Sequence, residues 1–139
     1  MSDHIQPEGL FPGARLGFTQ VVSAAADRLV WIAGQTACDE HGRPLGGDDV
    51  AEQASAALEN LGRALAAAGA RPGDVTMLRV HVVGLDRDMA RRIAVPVAQF
   101  FAGTSPPAST WIGVQSLIDP SFLVEIDAVA ALNPVEPLL

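Results

Sequence analysis

Alternation of apolar and polar residues predicts five β-strands along the chain. The segments are rich in β-branched and aromatic residues, which suit a half-buried pleated surface. Short runs of turn-forming residues separate the first two strands and also the last two. The predicted strands are LGFTQVVSA at 16–24, DRLVWIAGQ at 27–35, DVTMLRVHVVG at 74–84, ASTWIGVQSL at 108–117 and FLVEIDAVAAL at 122–132.

Apolar residues that recur every three or four positions predict a first helix after the second strand. Asp49 stands at the N-cap position, with Glu52 three residues further on in an approximate capping box. Gly69 and the Pro72-Gly73 pair end this helix. Its apolar stripe consists of Val50, Ala54, Ala57, Leu58, Leu61, Leu65 and Ala68.

A second helical stripe lies between the third and fourth predicted strands, but it contains Pro96. Proline costs about 3 kcal/mol in a helix interior and almost nothing in a first turn. We therefore expect a short turn or 3₁₀ piece near Asp86–Arg91 and a main helix that begins at about residues 94–95. The stripe consists of Leu85, Met89, Ile93, Val97, Phe100 and Phe101.

The predicted order β-β-α-β-α-β-β describes one α+β domain over residues 1–139, with an irregular N-terminal segment over about 1–15 and a C-terminal tail over about 132–139. A mixed sheet with both helices on one face would bury both apolar stripes in two layers. Its other face would stay uncovered and partly apolar, which usually indicates a partner surface. We therefore expect the chain to associate with copies of itself.

The charge balance argues against two classes of partner. Nine arginines and no lysine face sixteen acidic residues, so the net charge is −7. Such a surface repels nucleic-acid phosphates and anionic lipid. No stretch approaches the roughly 20 apolar residues that a membrane-spanning helix needs.

Cysteine and histidine usage adds two further expectations. The single cysteine, Cys38, cannot form an internal disulfide, and the N-terminus lacks the features of a secretory signal. We therefore expect a cytoplasmic protein. His4, His41 and His81 are scattered without ligand spacing, so no metal site is predicted.

Five segments in order resemble the motifs of the Rid family (reactive intermediate deaminase, also called YjgF): LGFTQVV, IAGQT, AEQASAALENLGRALAAAG, PPASTWIGV and LVEIDAVA. The resemblance runs from about Gly17 to Ala130. It implies a chorismate-mutase-like fold and a homotrimer with pockets between adjacent subunits. It also implies hydrolysis of reactive enamines or imines to 2-oxo acids and ammonia, without a metal or organic cofactor.

One departure from the family pattern bears on that activity. Deaminating members carry an arginine after the P-A pair that binds the substrate carboxylate, and here that position is Ser109. A guanidinium can bind a carboxylate with two charged hydrogen bonds, whereas one hydroxyl bond contributes about 1 kcal/mol. This arginine-lacking member is therefore expected to have weak or no activity on standard 2-imino acids. Arg15 is a nearby arginine that could substitute.

The matched motifs also give the candidate site residues. Glu125 is an acidic residue in an apolar strand, and the resemblance implies that it places or activates water; the alternative is a solvated or structurally bonded side chain. Each candidate substrate-binding residue also has a plain structural alternative as core, strand or bulge. These candidates are Phe18, Gly34, Ser109, Thr110 and Trp111.

The family resemblance and the departure at Ser109 leave three functions open. The first is a homotrimer that hydrolyses an enamine, imine or related carbonyl compound. The second is the same trimer as a non-catalytic metabolite-binding or regulatory protein, because neutral groups replace the charged anchor. The third, ribonuclease or translation inhibition, is disfavoured by the net charge of −7.

Overall fold

The computed structural model describes residues 2–133, and the elements confirm the predicted α+β class. Six strands and two helices follow one another with two 3₁₀ turns, at Gly13–Leu16 and Pro72–Asp74. The helices and strands are β1 (Ser2–Ile5), β2 (Val21–Ala24), β3 (Arg28–Thr36), α1 (Val50–Ala67), β4 (Val75–Val83), α2 (Arg87–Phe100), β5 (Ala108–Val114) and β6 (Val124–Leu132).

The main sheet has four strands in the order β3-β6-β4-β5. Strand β6 pairs antiparallel with both β3 and β4, whereas β4 and β5 are parallel. The last two strands of the sequence are therefore not neighbours, because β6 lies between β3 and β4. Strand β5 is left at one edge of the sheet.

The core lies between one face of this sheet and the two helices. Burial alternates along β6, where Val124, Ile126, Ala128 and Ala130 are buried and the residues between them are partly exposed. Buried residues of α1 and α2 belong to the same apolar cluster as these strand residues. Both helices therefore cover one sheet face, as the two apolar stripes predict.

Helix α1 begins and ends where the sequence predicts. The Asp49 carboxylate accepts hydrogen bonds from the backbone N–H groups of Ala51 and Glu52, which satisfies two donors of the first turn. The helix ends at Ala67, and Gly69 follows with a φ of 75°. Glycine adopts this left-handed conformation without strain, so it suits a helix end.

The expected start of the second helix is wrong. Helix α2 begins at Arg87, where the Asp86 carboxylate accepts a hydrogen bond from the Met89 N–H, and it continues through Pro96 to Phe100. The cost of proline in a helix interior is offset by burial, since Pro96 and its neighbour Val97 lie in the interior. No separate 3₁₀ piece occupies 86–91.

The expectation of an irregular N-terminal segment over 1–15 is also wrong in part. Strand β1 pairs antiparallel with β2, with His4 opposite Val22, and a 3₁₀ turn follows at Gly13–Leu16. A strand of four residues carries too little alternation to stand out in the sequence, and its partner β2 is shorter than predicted. Of the expected tail, Leu132 closes β6, and residues 134–139 lie outside the described residues.

Candidate functional site

The candidate site residues lie on opposite faces of the sheet. Ser109 and Trp111 of β5 stand beside Leu78 and Val80 of β4, which are buried under the helices. Thr110 stands beside Arg79, on the uncovered face. Side chains alternate along a strand, so Ser109 and Trp111 face the helices and Thr110 faces away.

On the helix side, a crevice with a volume of about 550 Å³ opens beside β5. Strand β5 supplies Ser109 and Trp111, and the segment before β2 supplies Phe18. Helix α2 supplies a row of small residues, whose short side chains leave the space open. The lining consists of Arg15, Leu16, Gly17, Phe18, Ala90, Arg91, Ala94, Ala98, Ser109 and Trp111.

Ser109 and Trp111 are joined inside the crevice. The indole Nε1–H of Trp111 donates a hydrogen bond of 2.8 Å to the Ser109 Oγ. This bond satisfies the only polar group of the indole, so the ring presents an apolar wall. The Ser109 hydroxyl keeps its own hydrogen, which it can donate to a ligand.

The crevice also contains two guanidinium groups, of Arg15 and Arg91. Among residues 2–133, no acidic residue is part of the lining. The sequence suggests Arg15 as a possible substitute but gives no reason to select Arg91. Arg91 lies at the crevice because α2 begins at Arg87 and therefore includes it. The expected helix start at residues 94–95 would leave Arg91 outside that helix.

On the uncovered face, Glu125 lies against Gly34 of β3. A Cβ atom built on Gly34 would stand 2.5 Å from the Glu125 Oε1. The missing side chain of Gly34 therefore leaves the room that this carboxylate occupies. Gly34 itself lies where the pairing of β3 with β6 is interrupted between Ile32 and Gln35.

Glu125 is the carboxylate of this face that has no partner. Its neighbour Asp127 accepts a hydrogen bond of 2.8 Å from the Arg79 Nε, which neutralises it. The His81 Nδ1 lies 3.3 Å from the backbone oxygen of Glu125, so it does not engage the side chain. Within residues 2–133, the Glu125 carboxylate forms no hydrogen bond or ion pair and is free to bind water or a ligand.

The same face exposes large apolar side chains. Trp31 is 71% exposed, Leu29 49% and Ile112 42%. Trp31 pairs with Val129 and Leu29 with Ala131, so both point away from the helices. An apolar sheet face of this kind usually indicates a contact with another chain.

The rest of the described chain adds no metal or membrane feature. Across residues 2–133, no three His, Cys, Asp or Glu side chains come close enough together to hold a metal ion. In the same range, neither helix combines the length and apolarity that a membrane span requires.

A mixed four-stranded sheet with two helices on one face defines the class of two-layer α+β proteins. Comparison with known proteins places this chain more closely. Residues 11–132 match the model of the family described as Endoribonuclease L-PSP. The chain belongs to this family, which includes the Rid and YjgF proteins, and the resemblance of its motifs is thereby confirmed.

Solved structures agree with this assignment. The Rid-family protein YyfB from Yersinia pestis is 37% identical, with 94% of this chain and 98% of that chain covered and a TM-score of 0.90. Rv2704 from Mycobacterium tuberculosis, of the YjgF/YER057c/UK114 family, is 31% identical, with 95% and 100% covered and a TM-score of 0.62. TdcF from E. coli, solved with bound serine, is 27% identical, with 83% and 87% covered and a TM-score of 0.67. The fold is the chorismate-mutase-like α+β fold of these proteins.

Proposed function

We propose that this chain forms a homotrimer whose small-molecule sites lie between adjacent subunits and hydrolyse a reactive imine or enamine. The observation that carries the proposal is the division of the candidate residues between two sheet faces. Phe18, Ser109 and Trp111 line the crevice, whereas Glu125 and Gly34 lie on the other side of the sheet. One chain alone cannot bring Glu125 to a ligand in its own crevice.

Two different surfaces that meet form a head-to-tail contact, which generates a ring when the rotation between copies closes and an open filament when it does not. If the crevice of one copy faces Glu125 of the next, each ring contains one complete site per subunit. The exposed Trp31 and Ile112 would then be covered by the neighbouring copy. A trimer is the ring that the family resemblance implies.

The reaction consumes one water molecule. The Glu125 carboxylate accepts a proton from water as the water oxygen attacks C2 of the imine R–C(=NH)–COO⁻, and the imine nitrogen takes a proton from solvent. The product is the carbinolamine R–C(OH)(NH₂)–COO⁻. When its C–N bond breaks, Glu125 returns its proton to the nitrogen, which leaves as ammonia, and the carbinolamine hydroxyl gives its proton to solvent as the 2-oxo acid R–CO–COO⁻ forms. An enamine enters the same route after it tautomerises to the imine.

One relative supports a ligand of this chemical type. TdcF is a neighbour solved with bound serine, a small molecule with a carboxylate and an amine. The 2-imino acids carry the same carboxylate beside a carbon–nitrogen bond. At the crevice wall of this chain, Ser109 can donate one neutral hydrogen bond to such an oxygen.

The position of Ser109 limits the proposed substrate range. A single hydroxyl bond contributes about 1 kcal/mol, less than the two charged bonds of a guanidinium. We therefore expect weak turnover of 2-aminoacrylate, whose carboxylate would find no arginine at position 109. The same substitution favours the second candidate function, a trimer that binds a metabolite without converting it.

Replacement of Glu125 by glutamine tests the catalytic proposal. Glutamine keeps the shape but cannot accept the proton, so kcat for a panel of imines made in situ by an amino-acid oxidase should fall by about 100-fold or more. Asp127→Asn is the matched control, because it lies on the same strand and face but is paired with Arg79. The readout is release of ammonia and 2-oxo acid.

The result also separates the candidate functions. Equal turnover by wild type and Glu125→Gln would contradict catalysis through this residue. Ligand binding by the wild type without turnover of any imine would favour the metabolite-binding trimer. The ribonuclease activity in the family's name is not proposed here, since a chain of net charge −7 repels RNA phosphates.

A further inference from the structure

We propose that Arg15 and Arg91 together bind the ligand carboxylate, and that the crevice selects 2-imino or 2-oxo acids with a large apolar side chain. This inference rests on the proposed function for the identity of the reacting group. The carboxylate anchor and the preference for a large ligand side chain are inferred from the crevice alone.

The two arginines are available to a ligand. Within residues 2–133, neither the Arg15 nor the Arg91 side chain forms an ion pair or hydrogen bond. Two other guanidiniums of the chain are engaged, Arg79 with Asp127 and Arg92 with Asp49. Two unpaired cations at one crevice form a local positive site in a chain of net charge −7.

The arginines approach from walls other than β5. Arg15 belongs to the 3₁₀ turn Gly13–Leu16, and Arg91 belongs to α2. Two guanidiniums can bind the two oxygens of a carboxylate with charged hydrogen bonds. The anchor that Ser109 cannot supply from β5 is thus available from the opposite elements of the same crevice.

The wall of the crevice beside β5 is apolar. Phe18 and Trp111 also line a separate cavity of about 10 Å³, which is bounded by the buried side chains of Leu78, Val97 and Phe101. Arg15 and Arg91 are exposed residues. A ligand that places its carboxylate on the arginines near the solvent therefore directs its side chain toward apolar and aromatic walls.

The size of the crevice favours a large side chain. A volume of about 550 Å³ lies within the range of pockets that enclose ligands much larger than a three-carbon acid. A 2-oxo acid with a phenyl or branched aliphatic group would bury apolar surface against Phe18 and Trp111, whereas pyruvate would leave most of the crevice filled with water. The crevice should therefore bind 2-oxo acids with large apolar side chains more tightly than pyruvate.

Calorimetric titration of three stable probes tests the inference without catalysis. Phenylpyruvate has both the carboxylate and the large group, pyruvate lacks the large group, and phenylacetone lacks the carboxylate. Phenylpyruvate should bind at least about tenfold more tightly than either of the others. Arg15→Gln and Arg91→Gln should each weaken phenylpyruvate binding about tenfold, and leave phenylacetone binding unchanged.

Arg87→Gln is the matched control, since Arg87 is an exposed residue of α2 outside the crevice lining, and it should bind phenylpyruvate like wild type. The inference is overturned if phenylpyruvate fails to bind, if it binds no better than phenylacetone or pyruvate, or if both crevice variants bind it like wild type. Binding of this kind without any imine turnover would contradict the proposed hydrolysis and leave the anchor supported. Imine turnover in a protein whose phenylpyruvate binding neither arginine substitution changes would support the proposed hydrolysis and contradict the carboxylate anchor.

Discussion

Gly34 is the residue at which the backbone most directly determines the position of a candidate catalytic group. The Glu125 carboxylate fills the space where a side chain at position 34 would lie. A Cβ atom on residue 34 would stand 2.5 Å from the Glu125 Oε1. Real Cβ atoms do not approach oxygen this closely, so any other residue displaces the carboxylate. The contact is with the far end of a flexible side chain, which can move without unfolding the strand.

Gly34→Ala should therefore separate activity from stability. We expect a fall of tenfold or more in kcat for imine hydrolysis, since a displaced base loses its alignment with water, and a change in unfolding free energy of less than about 1 kcal/mol. Gly62→Ala in α1 is the matched control, because its Cβ would lie 3.5 Å from the Phe100 Cε2, an ordinary contact. Unchanged activity of Gly34→Ala would show that the position of Glu125 against Gly34 does not matter.

Individual residues could be selected from the sequence better than their arrangement. Phe18, Ser109 and Trp111 lie in one crevice as neighbouring motifs suggest, and Glu125 lies beside Gly34. Arg91 could not be selected as a site residue from the sequence, because it lies at the crevice only as part of α2, which begins earlier than the sequence predicts. The row of small residues at 90, 94 and 98 was the available signal, since the spacing of four places them on one helix face.

At the scale of elements, two polar side chains of α1 form hydrogen bonds with the backbone of neighbouring loops and strand ends. The buried Gln53, 1% exposed, donates to the carbonyl oxygens of Gly47 and Ser121 and accepts from the Leu123 N–H. Asn60 donates to the carbonyl oxygens of Thr36 and Cys38. The polar positions of the family-like helix motif thus have structural roles, holding the start of β6 and the end of β3.

Gln53→Leu should destabilise the chain strongly. The substitution removes three part-buried hydrogen bonds, to the backbone groups of Gly47, Ser121 and Leu123, so the unfolding free energy should fall by about 3 kcal/mol. Ser55→Leu, at an exposed position of the same helix, is the control and should change it by less than about 0.5 kcal/mol. Denaturant unfolding at one fixed protein concentration measures both, and similar values for the two variants would contradict the structural role of Gln53.

The elements differ in how much of them could be predicted. Helix α1 has an N-cap, an unbroken stripe and a terminal glycine, so its bounds follow from local signals. Helix α2 shows the limit of such signals, because the burial of Pro96 that offsets its local cost is a tertiary property. Strand β1 depends entirely on its pairing with β2, and no local pattern indicates it.

At the scale of the whole molecule, the order of the strands decides which residues can meet. Insertion of β6 between β3 and β4 places Glu125 beside Thr36 and His81 on the uncovered face. Parallel pairing of β5 with β4 places Ser109 and Trp111 under the helices. Alternation along each strand could be predicted from the sequence, but the relation between the two faces required the strand order.

The uncovered face is the surface through which the proposed trimer would associate. Trp31, with 71% of its surface exposed, would be in water in an isolated chain. A neighbouring copy that covers it would gain from apolar burial and would also bring its own Glu125 toward a crevice. Assembly and catalysis are therefore coupled in this account.

Co-expression of two inactive variants tests this coupling most directly. Glu125→Gln retains an open crevice, and Ala98→Trp fills the crevice while retaining Glu125. If each site combines the crevice of one subunit with Glu125 of the next, every mixed trimer contains one intact site of three, and the randomly assembled population as a whole regains about a quarter of the wild-type sites. Each variant alone should be inactive in imine hydrolysis while its elution volume and melting temperature stay like those of wild type. Two results would contradict the account: mixed rings that hydrolyse imines no faster than either variant alone, or a protein that sediments as single chains.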